Sequence, residues 1–180
     1  MARVTLIGDD GRPELCDLIA KIRSGRRGNL INIYKALLHS PPLAESWFDH
    51  LNAVRWNTEL SGRLREIVII RVAYLNRARY VLRQHIPALA VADGVSVEEC
   101  EALADWSRST LFDASERATL AYTDAMTRDV TVLDAVFDEL RRYFDERLVV
   151  ELTVLIGTYN MHTRVVEALG IDLEAPPTPV

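Results

Sequence analysis

The sequence predicts an all-α protein, and three observations carry that prediction. Apolar residues recur at three- and four-residue steps, as in Leu15, Leu18, Ile19 and Ile22. Capping pairs recur as well: Ser96 with Glu99, and Asp113 with Glu116, have the spacing at which side chains and backbone N–H groups satisfy one another at a helix start. Strand signals, the alternating apolar and polar runs of a half-buried sheet, do not recur.

Taken in order, Pro13 suits the first turn of a helix that continues through Ile22. Gly25 and Gly28 break the chain, and Asn29 opens a second helix over Leu30 to His39. Ser40 caps a third, with Pro41 at its first position, reaching about Asn57. Ser61 caps the helix that carries Glu66. After the two capping boxes, Thr131 with Asp134 is a looser helix start, and Asp145 caps a final long helix that stops at Gly170. The expectation is a bundle of about eight helices with short loops. It is expected to be one domain over 1–180, with an N-terminal helical extension over about 1–60 and a flexible proline-rich tail over about 173–180.

Composition narrows the functional classes. The chain has 180 residues, enough for one sizeable core, and a net charge of −5, which argues against nucleic acid. Its one basic cluster is Lys21, Arg23, Arg26 and Arg27; a solvated inter-helix loop is favoured over a phosphate site. No secretory signal is read at "MARVTLIGDDG", and the longest apolar run, Leu148 to Gly157, is too short to span a membrane and contains Glu151. Cys16 and Cys100 form no CxxC, so a reducing cytoplasm is the default.

Two segments, "LREIVIIRVAYL" (64–75) and "LVVELTVLIGTY" (148–159), are apolar almost all round, each with a single glutamate near its start. Such helices are buried in a core or covered by another subunit. If 64–75 and 78–92 fold back about Asn76–Arg77, Glu66 lies ten residues before Asn76 and His85 nine after it. At ~1.5 Å per residue the acid and the imidazole then stand at nearly the same height. Asn76 is a suitable stop because Asn tolerates the left-handed conformation.

That hairpin resembles a known signature. Glu66, Asn76, Tyr80 and His85 fall in register with the Glu…Asn-x-Cys-x-Tyr-Cys-x-x-x-His pattern of AhpD-like alkylhydroperoxidases, in the carboxymuconolactone decarboxylase superfamily. The segment "FDERLVVELTVLIGTYNMHTR" (144–164) is similar to the closing helix of that superfamily. The resemblance implies an AhpD-like helical fold, a homo-oligomer (dimer, trimer or hexamer) and a Glu–His proton relay. In the peroxidase branch two cysteines at a helix start supply a thiolate; here those positions hold Ala78 and Val81, so that redox chemistry should be absent. Some relatives carry an acid at the second position, and Val81 departs from that too. The decarboxylase branch works without cysteines on a carboxylated lactone; this chain is longer at its N-terminus than those small decarboxylases, so that particular substrate does not carry over.

The candidate residues each have two readings. Glu66 is an acid or base in an apolar helix, or a carboxylate favoured by the helix dipole; Ile70 at i+4 offers it no partner. His85 is its proton-transfer partner, or a core histidine bonded to the carbonyl that Pro87 leaves unpaired on Arg83. Tyr80, Arg77, Tyr159 and His162 are expected to bind substrate, with packing as the alternative for Tyr80, Tyr159 and His162. Arg79 and Arg83 are further candidates for attracting an anion. No metal and no cofactor are expected. The functional expectation is acid–base chemistry of lyase, decarboxylase or isomerase type on a small organic acid or lactone, with Glu66 as the base and His85 as the acid or orienting group. Two other readings stay open: an AhpD-like peroxidase using another thiol, and a non-catalytic ligand-binding oligomer.

Overall fold

The computed structural model describes residues 2–8, 12–26 and 28–174. Arg27 of the basic cluster and positions 175–180 of the expected flexible tail lie outside the described residues. The described residues are helical and turn structure throughout, with no strand among them. The chain divides into two compact units, Met1–Trp56 with Val166–Val180, and Asn57–Val165.

In the first unit a 3-10 turn at Pro13–Leu15 leads into α1 (Cys16–Ser24), followed by α2 (Asn32–Leu37) and α3 (Pro41–Trp56). The three-four pattern of α1 buries Ile19 and Ile22; Ile33, Tyr34, Phe48 and Leu51 of the other helices are buried too. Each such aliphatic side chain removed from water contributes ~1.5–3 kcal/mol. α2 begins later than Asn29 predicts, because the chain stays extended through Ile31, which supplies no side-chain cap. The basic cluster is occupied from within: Lys21 bonds Glu45 and Asp49, Arg23 bonds the Gly28 carbonyl, and Arg26 donates to the Tyr34 hydroxyl. At the other end of the unit the Asn32 N–H donates to Glu174 Oε1 at 2.8 Å, which holds the first residue of the proline-rich segment.

The second unit contains α4 (Gly62–Leu75), α5 (Arg79–Gln84), a π-helical turn at His85–Ala90, and α6 (Val97–Ala102) continued by a 3-10 segment at Leu103–Arg108. α7 (Ala114–Asp124), a second π turn (Ala125–Asp129), α8 (Asp134–Arg141) and α9 (Glu146–Leu169) follow, the last four residues of α9 falling in the first unit. α4 is central: every residue from Leu64 to Ala73 is buried, and it packs on α5, α7 and both π turns. Ile67 and Ile70 share a core with Ala90, Val95, Cys100, Leu103, Phe112 and Leu120.

The caps at Ser61, Ser96 and Asp113 form, the last two as full reciprocal boxes. Asp145 caps α9 by accepting from the Leu148 N–H. Thr131 does not cap α8; Leu133 occupies that position without a side-chain bond. Arg63 joins the two boxes, donating to Glu99 and Glu116 at 2.6 Å each. One guanidinium thereby fixes the starts of α6 and α7 against α4. The helix expected over 78–92 forms as one run over 79–92, with its middle, His85–Ala90, wound as a π turn. Pro87 lacks an N–H and its ring crowds the carbonyl of Arg83, and the chain accommodates it by widening into the π turn.

Candidate active site

Ser61 starts α4 by accepting from the Leu64 N–H, and this sets the rotation of the helix that turns Glu66 inward. At its far end Asn76 is not left-handed (φ −89°); Arg77 is, at φ 57°. The polar side chain of Asn76 has another use. Its Nδ2 donates to Asn160 Oδ1 and Thr163 Oγ1 on α9, tying the hairpin to that helix. Past Arg77 the Ala78 N–H returns to the Ala73 carbonyl at 2.8 Å, and α5 runs back along α4.

The hairpin brings Glu66 and His85 together. Glu66 Oε2 lies 2.6 Å from His85 Nδ1. Glu66 has no exposed surface and His85 is 5% exposed. A carboxylate can only accept, so an ionised Glu66 fixes the imidazole proton on Nδ1. His85 thus turns its Nδ1 to a carboxylate. The other carboxylate oxygen stands 4.0 Å from Arg65 Nε, and Arg65 itself bonds Asp93 at 2.8 Å. Arg65 was not legible as a partner, because adjacent helix residues do not ordinarily face each other.

α9 supplies the next layer. The Tyr159 ring meets His85 nearly edge-on, with centroids 5.8 Å apart, and His162 follows at 5.7 Å from Tyr159. Four of the six candidates, Glu66, His85, Tyr159 and His162, are therefore contiguous. Tyr80 is buried on α5. Arg77, like Arg79 and Arg83, is exposed; Arg77 sits at the hairpin turn, ~15 Å along α4 from Glu66.

At the positions where the resembling signature has cysteines, Ala78 and Val81 are buried apolar side chains. Cys100 lies in the neighbouring core, where burial first, and then the charges of Glu66 and Glu99, push its thiol up to about 11. Cys16 is exposed on α1. Among the described residues no group of three or more His, Cys, Asp or Glu could hold a metal ion, and no helix is long and apolar enough to cross a membrane.

Residues 41–125 match the carboxymuconolactone decarboxylase family, and the described residues have the helical fold of solved AhpD-like proteins. The uncharacterized protein YnjA of Escherichia coli is 33% identical over 122 residues, which is 67% of this chain and 66% of that protein. Among solved structures, an uncharacterized peroxidase-related protein from Silicibacter sp. TM1040 superposes with a TM-score of 0.83 at 24% identity, over 97% of this chain and 92% of that one. A Cys-to-Ala variant of the debrominase Bmp8, in complex with 2,3,4-tribromopyrrole, superposes at 0.79 with 21% identity, over 96% and 91%.

Proposed function

We propose that this protein is a cofactor-free acid–base catalyst, of lyase, decarboxylase or isomerase type, acting on a small organic acid or lactone as a cytoplasmic homo-oligomer. The observation that carries this reading is the 2.6 Å contact between Glu66 and His85 in a setting with almost no water. A buried polar pair is a poor device for stability alone, whereas an imidazole with one nitrogen held by a carboxylate is prepared to exchange a proton at the other. Because Glu66 is the more deeply buried, it is assigned to orient and charge-balance the ring, and His85 Nε2 to act on the substrate. Tyr159 and His162 form the wall beside it. Sulfur-based peroxide reduction is disfavoured by Ala78, Val81 and the protonated Cys100 thiol. That the same fold carries a debrominase is in keeping with chemistry residing in the site rather than the fold.

The test is a screen of carboxylated lactones and 3-keto acids, followed by Glu66→Gln and His85→Asn in the active preparation. Both variants are expected to lower turnover by about 10²–10⁴-fold, the usual share of a positioned acid–base group. Turnover unchanged in both would reject the site. An intact fold that binds such acids without converting them would support the non-catalytic reading.

A further inference from the structure

One side of α9 is apolar and uncovered. Val150 is 62% exposed, Val154 43% and Met161 39%, at steps that keep them on one helix face. Gly157 completes the row. It too is exposed, and a Cβ built on it would meet nothing within 4 Å. A glycine in mid-helix costs ~1 kcal/mol relative to alanine, and no contact within the described chain asks for one. The opposite side of the same helix carries Tyr159 and His162 to the candidate site.

The two ends of this row differ in charge. At its start Arg147 lies 2.7 Å from Glu59 and 3.1 Å from Glu151, and Glu146 beside it, 92% exposed, stands 3.8 Å from Arg141, so that three carboxylates there face two guanidiniums. At its far end stands the exposed Arg164. Asn160 accepts from Asn76 and donates to Thr127, which brings the exposed Arg77 and Arg128 to the same end. Asp124, 3.9 Å from Arg128 but paired first with the buried Arg71, and the exposed Asp129 offset part of that charge, and Glu167 lies about a turn beyond Arg164.

We propose that a second copy of this chain docks on this row, α9 against α9, antiparallel about a two-fold axis between Val154 and Gly157. The spacing Val150–Val154–Gly157–Met161 reads the same in either direction, as an isologous contact requires. The axis sets Val154 over Gly157 of the second copy, where the missing side chain lets the backbones approach. It sets Val150 over Met161, and the acidic start over the basic end. A parallel arrangement would set like charge on like. The inference rests on the self-association in the proposed function and not on its acid–base chemistry.

Sedimentation velocity of the full chain at micromolar concentration is expected to give a dimer or a larger even assembly. Gly157→Leu raises helix propensity, so the chain still folds, yet it and Val154→Glu should each weaken association by at least about tenfold, as central interface changes do. Arg164→Glu should weaken it too, and adding Glu146→Arg should restore it. In a Cys16→Ser background, Val150→Cys mixed with Met161→Cys should cross-link between copies, while Val150→Cys alone should not. A monomeric wild type, wild-type assembly in Gly157→Leu, or self-cross-linking of Val150→Cys in place of the mixed product would each overturn the proposal.

Discussion

α4 and α9 look alike in sequence, apolar on nearly every side with one glutamate near the start, yet they are used in opposite ways. All of Leu64–Ala73 in α4 is buried, whereas α9 buries Leu152, Leu155, Ile156 and Tyr159 and leaves Val150, Val154 and Met161 in solvent. The glutamates diverge with their helices. Glu66 is enclosed and faces an imidazole; Glu151 stays near the surface, accepting from the Glu59 N–H and from Arg147 one turn earlier. A helix apolar all round can be central or can await a partner, and the polar residues on it tell the two apart. On α4 each buried charge has a partner on another element. On α9 the charges lie at the two ends of the exposed row.

The sharpest way to break this contrast is through Arg71. It is buried in the middle of α4, bonds both oxygens of Asp124 at 2.5 and 2.6 Å, and donates to the carbonyls of Leu103 and Ala104. Arg71→Met removes the bidentate partner of Asp124, which keeps Trp106 Nε1 at 3.3 Å and Arg128 at 3.9 Å, and the donor to two carbonyls. The expected loss is ~3–5 kcal/mol, the cost of leaving half of a buried pair behind. Replacing Asp124 with Leu in the same chain should recover part of it. Urea unfolding measures both, and a loss below ~1 kcal/mol would show that α4 is not held by its buried charges.

A smaller effect is expected from the surface end of α4. Arg63 beside Glu99 holds that carboxyl down to about 2, against an ordinary 4.5. A depressed folded-state value means the stabilisation is complete above pH 4.5 and is lost as pH falls toward 2. Because Arg63 is 32% exposed, water screens the pair to ~1 kcal/mol. Glu99→Gln should be less stable than wild type at pH 7 by that amount, and the gap should close as the solution is acidified from pH 5 to ~2. A gap that is constant across this range would remove the ion pair as its cause.

These cases also show what could be read beforehand. Ser61, Ser96, Asp113 and Asp145 were legible as helix starts because a cap is decided within about four residues. The pairing of Glu66 with His85 was legible because a hairpin of two straight helices is simple to count. The role of Arg63 was not, since its partners lie 36 and 53 residues away and depend on how α6 and α7 pack. The π turn at His85 was half visible: Pro87 marked a carbonyl that must lose its bond, but nothing local decides whether the helix kinks, ends or widens. Tyr159 and His162 share a helix face by their spacing, yet only tertiary packing could turn that face to His85. Asn76 was marked for the wrong reason. Its amide is spent on Asn160 and Thr163, and the positive φ falls on Arg77.

The smallest effect is expected at Glu151, the counterpart of Glu66 on α9. Its carboxylate accepts from the Glu59 N–H at 2.8 Å and from Arg147 Nε at 3.1 Å. Arg147 is well exposed, so its charge is largely screened. In Glu151→Gln the amide oxygen can keep the backbone bond while the net charge is lost. The melting temperature of the dissociated chain should move by no more than ~2 °C, as for an ordinary surface change. Raising the salt concentration should leave that small difference unchanged or shrink it. In the assembled protein the outcome should be larger, because Glu151 belongs to the acidic end that faces the basic end of the second copy. Glu151→Gln should therefore raise the dissociation constant more at low salt than at high. An equal shift in the dissociated and assembled forms would mean that Glu151, like Glu66, acts within its own chain, and the contrast between the two helices would lose its electrostatic half.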